Sequence, residues 1–277
     1  MEAQMISADS MHDKIRSVEA EAWTSMFSAA PKGVRTELGM GTYRTADASF
    51  LACRQVPTVP FNRGFAIGPS WSSDHTQVLE GIHWLQQHAA DGWVLQVDEE
   101  RFAASADVLG QNGIRQSLQG WVKLATGVNA RGKPNDALVR AVDGEEGSHV
   151  FASLIIQGFG FPRSTFEWFR NLPLHEGWTC YVAYDEGVPC AAGALFVSGA
   201  TAWFGVDTTI PAYRGKGLQQ AIIARRLHDA SARGVIFAMA ETGRSAHSSD
   251  PDGPSFRNYK RLGFEVQHYS TNFVRDT

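Results

Sequence analysis

The spacing of hydrophobic positions predicts helices alternating with strands in the first half of the chain. Met11, Ile15, Val18, Ala22 and Met26 recur at intervals of three or four residues, which is typical of an amphipathic helix. The same criterion predicts helices over 75–89 and 102–109. Short β-rich apolar runs predict strands over 43–56, 62–67, 93–97 and 121–124.

The second half begins with a predicted strand over 137–142 and helices over 149–158 and from 165 to 170. Between 178 and 209 a long β-rich run contains two turn signals, 185–187 and 198–200, which predict three antiparallel strands. Beyond this run the pattern predicts a helix over 218–232, a strand over 235–240, a helix over 254–262 and a strand over 264–273. This order indicates an α+β (mixed α/β) fold.

A change of composition divides the chain. The stretch "TGVNARGKPNDA", residues 126–137, is rich in Gly, Asn, Pro and charge and has no periodicity, so we interpret it as an interdomain linker. The length of 277 residues also suggests two domains. We therefore expect one domain over 1–130 and a second over 137–277.

Composition excludes several classes of protein. Hydrophobic residues make up 43% and charged residues 19%, and the net charge of −4 argues against a dedicated nucleic-acid binder. No apolar run is long enough to span a bilayer, and the polar start lacks a secretory apolar segment, so we expect a cytoplasmic protein without a membrane partner. We interpret Cys53, Cys180 and Cys190 as reduced core residues, with a nucleophilic cysteine as the alternative.

The clearest chemical signal is Arg214-Gly215-Lys216-Gly217, between a predicted strand and a predicted helix. It does not fit a Walker A loop, because Lys216 precedes the glycine, or a dinucleotide fingerprint, because position 220 is Gln. Glycines without Cβ atoms, followed by a helix N-terminus, instead suit an anion such as a pyrophosphate. A solvated basic turn is the alternative.

Two motifs in order resemble the GNAT superfamily of acyl-CoA N-acyltransferases. Residues 214–218 match the first five positions of its pyrophosphate loop, [RQ]-x-x-G-x-[GA], and Gln219 departs from the sixth. The segment "SFRNYKRLGFE", residues 255–265, resembles a later motif in which Tyr259 takes the tyrosine position. The resemblance covers about 137–277. The first half looks like a degenerate repeat without this loop, so we expect it to bind no cofactor and to shape the pocket for the amine.

The resemblance implies two GNAT-like domains, each with a mostly antiparallel central sheet flanked by helices. In the second domain, a V-shaped cleft between the strands 203–209 and 235–240 would hold acetyl-CoA. The residues implied to bind it are Val206, Asp207, Thr208, Thr209, Arg214, Gly215, Lys216, Gly217, Leu218, Gln219, Ser255 and Tyr259.

Direct attack by an amine on a thioester requires a neutral amine and hence a proton acceptor, because a lysine-like amine has a pKa of about 10.4. Glu241, directly after the strand 235–240, is our first candidate for this base. Asp207, a charge within a β-run, is the second. By its motif position, Tyr259 is the candidate acid for the leaving thiolate. His247 could line the mouth of the amine pocket, although a polar loop is the simpler interpretation.

We therefore expect an N-acetyltransferase that acts on a primary amine of a small molecule or an amino acid, with a protein amine left open. No metal is expected, because no Cys/His cluster has metal-ligand spacing. A homodimer is left open. The alternatives are a non-catalytic acyl-CoA-binding sensor or scaffold and O-acyl transfer to a hydroxyl group.

Overall fold

The computed structural model describes residues 8–68, 75–99, 102–128, 138–245 and 253–275, and its strands form one large sheet. In chain order the strands are β1 (Met40–Arg44), β2 (Ser49–Cys53), β3 (Arg63–Phe65), β4 (Val94–Asp98), β5 (Ile114–Gly127), β6 (Val139–Ala141), β7 (Trp178–Asp185), β8 (Val188–Ser198), β9 (Thr201–Thr209), β10 (Phe237–Ser245) and β11 (Glu265–Arg275).

Helices cover both faces of this sheet. They are α1 (Ala8–Ser28), α2 (Lys32–Leu38), α3 (Thr76–His88), α4 (Phe102–Gln111), α5 (Gly144–Phe159), α6 (Phe166–Asn171), α7 (Leu218–Ala232) and α8 (Gly253–Arg261). Short 3-10 turns occur at Val59–Phe61, Arg163–Thr165, Leu172–Leu174 and Pro211–Tyr213. Within the described ranges, no helix is both long and apolar enough to cross a membrane.

The sheet is mostly antiparallel, with the strand order β1-β2-β3-β4-β11-β5-β10-β9-β8-β7-β6. Two pairs are parallel, β3 with β4 and β9 with β10, one in each half of the chain. The predicted mixed α/β fold and the predicted antiparallel run β7–β8–β9 are both confirmed.

The two halves of the chain share the middle of the sheet. Strand β5, from the first half, lies between β10 and β11, which come from the end of the chain, and pairs antiparallel with both. Strand β11 also pairs with β4. The division into domains over 1–130 and 137–277 stays a prediction, and the linker's residues 129–137 lie outside the described ranges.

Helix α1 comes from the first half of the chain and packs on strands β8 and β9 of the second half as well as on β1. Its apolar face, including Ile15, Val18 and Trp23, shares one buried cluster with Trp168 of α6 and Trp203 of β9. The indole Nε1 of Trp168 donates a hydrogen bond of 2.6 Å to the backbone oxygen of Met26, one of the last carbonyls of α1 that has no partner within its helix. Helices α7 and α8 cover the opposite face of these strands.

Some elements differ from the pattern-based expectation. The run 43–56 is a hairpin, β1 and β2, because the chain reverses at Thr45–Ala48, where the Thr45 amide bonds the Ala48 carbonyl at 3.0 Å. Helix α2 escaped prediction because Leu38 is its one buried residue, which leaves no periodic signal. The three cysteines are free and buried, as expected, and burial raises the pKa of the Cys53 thiol to about 12.

We expect Trp168→Phe to lower the free energy of unfolding by roughly 1–3 kcal/mol, because it leaves the Met26 carbonyl buried without its donor. Trp84→Phe, on the partly exposed face of α3, is the matched control and should cost less than half as much. Urea unfolding monitored by circular dichroism measures both. Equal costs for the two variants would contradict the packing of α1 on α6 described above.

Candidate active site

A cleft opens where β9 and β10 part. Their parallel pairing runs from Thr201 with Phe237 to Phe204 with Ala240 and ends there. Beyond this point β10 continues to pair with β5, where Glu241 lies opposite Lys123. The residues of β9 from Gly205 onward therefore have no strand partner on the β10 side. This is the V-shaped cleft that the resemblance implied.

A β-bulge shapes the β9 side of the cleft. Val206 and Asp207 together lie opposite a single residue of β8, Gly193. Val206 has φ 56°, a left-handed conformation that is rare for a β-branched residue and costs on the order of 1–3 kcal/mol. A Cβ atom on Gly193 would lie 2.5 Å from Oδ1 of Asp207, so the glycine leaves room for that carboxylate.

The glycine loop, residues 214–219, joins the turn after β9 to α7. Gly215 has φ 81° and Gly217 has φ 76°, a region that favours glycine, and a Cβ on either would meet nothing within 4 Å. Backbone conformation, not space, thus requires these glycines. Gly217 is the N-cap of α7 and offers no side-chain cap, so the first amides of the helix face the loop with the positive end of the helix dipole.

A first cavity of about 660 Å³ lies against this loop. Three arginines line it, Arg214 from the loop and Arg257 and Arg261 from α8, where a spacing of four residues puts both on one helix face. Thr208, Thr209 and the exposed amides of the loop complete the wall on the other side. Charge, backbone donors and a helix N-terminus together fit a pyrophosphate group.

Gln219, which departs from the family pattern, has a structural role. Its Nε2 donates to Oγ of Ser255 at 2.8 Å, and its Oε1 accepts from Nδ2 of Asn258 at 2.8 Å. Gln220 also donates to Asn258, at 2.9 Å. These amides hold α8 against the start of α7 and so fix the arginines of α8 beside the loop.

Asp207 belongs to a buried group with Arg226 of α7 and Tyr259 of α8. The Arg226 guanidinium lies 2.7 Å from Oδ1 of Asp207, and the Tyr259 hydroxyl donates to Oδ2. Arg226 also donates to the backbone oxygens of Ala194 at 2.8 Å and Gly205 at 3.3 Å, the facing pair that borders the bulge on one side. Burial raises the pKa of Asp207, and Arg226 and Tyr259 oppose the shift.

A second cavity of about 390 Å³ lies on the β10 side of the cleft. Trp23, Phe61 and Trp121 of the first half of the chain line it together with residues of the second half, including Phe161 and Trp203. The two cavities share four lining residues: Phe159, Asp207, Pro254 and Ser255. The cavities therefore meet at Asp207.

Four buried charges, here called the ion cluster, lie behind the second cavity: Glu19 of α1, Arg63 of β3, Lys123 of β5 and Glu241 of β10. Glu241 accepts two bonds from Arg63, at 2.8 and 3.1 Å, and one from Lys123 at 2.7 Å. The Trp23 indole donates a fourth, at 2.8 Å. Lys123 also donates to Glu19, and Arg63 lies 3.8 Å from the same Glu19 oxygen.

The two carboxyl groups of the ion cluster have opposite proton affinities. Burial raises the pKa of Glu19 to about 7, with Lys123 opposing the shift. Burial would also raise the pKa of Glu241, but Arg63 and Lys123 outweigh it and hold that pKa well below the usual carboxyl range. An anion with four donors and a low proton affinity is poorly suited to act as a base, which argues against our first candidate.

The structure brings most of the expected site residues together. Asp207, Thr208, Thr209, Arg214, Gly215, Gly217, Leu218, Gln219 and Ser255 line the first cavity, and Val206 and Glu241 line the second. Lys216 is in the loop but pairs with Asp185 on the surface. Tyr259 is 1% exposed, lines neither cavity and reaches the cleft through Asp207. His247 lies outside the described residues.

From the sequence we did not single out four cations near the cleft: Arg63 and Lys123 of the ion cluster, and Arg257 and Arg261 of the first cavity. Arg63 and Lys123 are single charges inside apolar β-runs, the same signal that indicated Asp207, and could have been found that way. Arg257 and Arg261 carried a weaker signal, their four-residue spacing. Among the described residues, no group of three His, Cys, Asp or Glu side chains could hold a metal ion.

Comparison with known proteins relates this geometry to a fold. No family model and no curated protein sequence matches the chain. Among solved structures, a GCN5-related N-acetyltransferase from Kribbella flavida is similar at 16% identity and TM-score 0.60, over 95% of this chain and 96% of that one. One from Sphaerobacter thermophilus has 17% identity and TM-score 0.58, over 83% and 80%.

A tandem GNAT protein from the clavulanic acid biosynthesis pathway is similar at 12% identity and TM-score 0.53, over 92% of this chain and 94% of that one. These likenesses show that the chain has the GNAT fold.

We expect Glu19→Gln to change how stability depends on pH. Because folding raises the pKa of Glu19 from 4.5 to about 7, the folded protein holds a proton that the unfolded chain loses between these values. The wild type should therefore lose stability relative to Glu19→Gln as pH rises from 4.5 to 7, by on the order of 1–3 kcal/mol, and no further above it.

Urea unfolding of both proteins at pH 5, 6, 7 and 8 measures this difference. Glu37→Gln, an exposed carboxyl on α2, is the control and should stay parallel to the wild type. A constant difference between the wild type and Glu19→Gln across the whole range would contradict the raised pKa.

Proposed function

We propose that this protein, which has the GNAT fold, transfers an acetyl group from acetyl-CoA to a primary amine. The observation that carries the proposal is the meeting of the two cavities at Asp207, where β9 and β10 part. The first cavity offers cations and amides to a pyrophosphate, and the second offers an apolar pocket on the far side of the same carboxylate. A donor and an amine can thus approach one point from opposite sides.

In this proposal the glycine loop binds the pyrophosphate of acetyl-CoA. The pantetheine arm extends along the unpaired edge of β9, whose backbone groups from Gly205 to Thr209 lack a strand partner toward β10. Gly158 of α5 faces this edge so closely that a Cβ on it would lie 1.8 Å from Oγ1 of Thr208. The lack of a side chain at Gly158 therefore leaves room for Thr208 at this edge of β9.

Asp207 is the proposed base, because it lies at the junction and its pKa is raised by burial. The amine nitrogen attacks the thioester carbonyl carbon, and Asp207 takes the proton from the resulting ammonium. The C–S bond then breaks, and the same proton passes from Asp207 to the thiolate of coenzyme A. The products are an amide and a free thiol, with one proton moved from nitrogen to sulfur.

Tyr259 supports this step as a positioning residue. Its hydroxyl and the Arg226 guanidinium hold the two oxygens of Asp207. The buried hydroxyl has a pKa raised well above its usual value, mainly by burial, so it stays protonated and keeps donating. Direct protonation of the thiolate by Tyr259, as its motif position implied, is the alternative that kinetics can separate.

The proposed function is tested by calorimetry with coenzyme A and by release of free thiol from acetyl-CoA with a panel of amines. We expect Arg261→Gln to weaken coenzyme A binding about 3- to 10-fold, because one cation–phosphate contact is lost. Lys260→Gln is the matched control, because Lys260 is the adjacent cation on α8 and does not line the cavity. No heat with coenzyme A would refute the assignment, and binding without thiol release would favour an acyl-CoA sensor.

We expect Asp207→Asn to lower kcat by about 100-fold or more, with a smaller change in KM for acetyl-CoA, because the amide cannot take the proton. Tyr259→Phe should lower kcat less, since it only loosens one oxygen of Asp207. Steady-state thiol release measures both, and thermal unfolding checks that each variant is folded. A larger loss in Tyr259→Phe than in Asp207→Asn would assign proton transfer to the tyrosine instead.

A further inference from the structure

The chemistry of the second cavity narrows the class of amine. Resting on the proposed function, we infer that the acceptor is a primary amine carried by an aromatic or similarly bulky apolar group, with no second formal charge. The inference depends on three properties of the described residues: the aromatic walls, the commitment of the charged groups, and the position of Asp207 at one end.

Aromatic side chains are enriched in the walls of the second cavity. Of the 19 described residues that line the second cavity, 7 are aromatic, whereas aromatic residues make up 11% of the chain. They are Trp23, Phe61, Trp121, Phe159, Phe161, Phe169 and Trp203. This enrichment favours a ligand that can exchange water for contact with ring faces.

The rings are held in fixed positions by one another. Phe159 stacks on Phe161 with centroids 5.1 Å apart and planes 11° apart, and Phe161 stacks on Phe169 at 5.7 Å and 8°. Elsewhere in the lining, Trp23 meets Trp203 edge to face at 5.6 Å. Rigid flat surfaces of this kind bind a planar apolar group with little loss of side-chain freedom.

The charged groups of the lining are already committed. Among the described lining residues, Asp207 and Glu241 carry the formal charges. Glu241 accepts four hydrogen bonds and is neutralised by Arg63 and Lys123. A second ammonium on the amine would find no uncommitted carboxylate among the described lining residues, and leaving a charge unpaired in an apolar cavity is costly. The described lining also contains no cation that could pair with the carboxylate of a free amino acid. Diamines, polyamines and free amino acids are therefore disfavoured.

The position of Asp207 orients the ligand. It lies where the two cavities meet, so the reacting nitrogen belongs at that end. The body of the amine then extends toward Trp23, Phe61 and Trp121, which the first half of the chain supplies. A volume of about 390 Å³ suits an amine with a single ring or a small fused ring.

Three amines with the same four-carbon chain test the inference: 4-phenylbutylamine, n-butylamine and 1,4-diaminobutane. We expect kcat/KM for 4-phenylbutylamine to exceed that for n-butylamine by about 30-fold or more, because a phenyl group is buried. The diamine should be the poorest of the three. Thiol release gives kcat/KM, and calorimetry on the protein saturated with coenzyme A gives the binding of each amine without turnover.

The outcomes separate this inference from the proposed function. If coenzyme A binds and thiol is released but 1,4-diaminobutane is preferred, the amine class is wrong and acyl transfer stands. If coenzyme A binds but calorimetry detects no 4-phenylbutylamine at millimolar concentration, the amine class is also wrong. If coenzyme A does not bind, the proposed function fails and this inference with it.

Two variants test the walls directly. Phe161→Ala should reduce the preference for 4-phenylbutylamine over n-butylamine about 5- to 10-fold while leaving KM for acetyl-CoA unchanged. Tyr43→Ala, which removes a ring that lines neither cavity, is the control. Thr58→Asp adds a carboxylate to the lining and should shift the preference toward 1,4-diaminobutane. Unchanged preferences in both wall variants would overturn the inference.

Discussion

Four buried ionisable side chains stabilise the region where β9 and β10 separate. Glu19, Arg63, Lys123 and Glu241 come from α1, β3, β5 and β10, so a single ion cluster joins both halves of the chain at the cleft. Removing one member of such a cluster leaves its partner charged and buried, which typically costs several kcal/mol. The first half of the chain supplies three of the four charges beside the cleft, Glu19, Arg63 and Lys123.

The strained side of the cleft has its own support. Val206 adopts a conformation that a β-branched residue avoids, and the bulge shifts the register of β9 against β8. Arg226 donates to the carbonyls of Ala194 and Gly205 and pairs with Asp207. One buried guanidinium thus binds two backbone carbonyls beside the bulge and fixes the carboxylate. The positive φ of Val206 and the charge of Asp207 within a β-strand both go against local preferences. Long-range contacts compensate for them, which is common at functional sites.

Local patterns in the sequence predicted what depends on local physics. Turn signals located β7, β8 and β9, and the glycine loop was recognised because positive φ angles and a helix N-terminus need particular residues at particular spacings. The ion cluster could not be predicted in this way. Arg63 and Lys123 are 178 and 118 residues from Glu241 in the chain. The pairing of β5 with β10 brings Lys123 opposite Glu241, and Arg63 reaches Glu241 from β3, which lies elsewhere in the same sheet.

The same limit explains why the sequence did not predict how Tyr259 is oriented. A motif gives the position of the residue in a helix, but the direction of its hydroxyl depends on Asp207 and Arg226, which lie on β9 and α7. Gln219 shows the converse. In the sequence alone, Gln219 is only a mismatch to the family pattern. In the structure, its side chain links α7 to α8 through Ser255 and Asn258.

The commitment of Glu241 also has a chemical consequence for the proposed reaction. The attacking amine must lose its proton, and an uncommitted carboxylate beside it would stabilise the ammonium and raise the pKa of the amine. Arg63, Lys123 and Trp23 all donate to that carboxylate, so in the proposed reaction the aromatic cavity would disfavour the ammonium by desolvation and lower the pKa of the amine instead. The walls that select an apolar acceptor would then also prepare its nitrogen for attack, and Asp207 would remain as the group that takes the proton released after the attack.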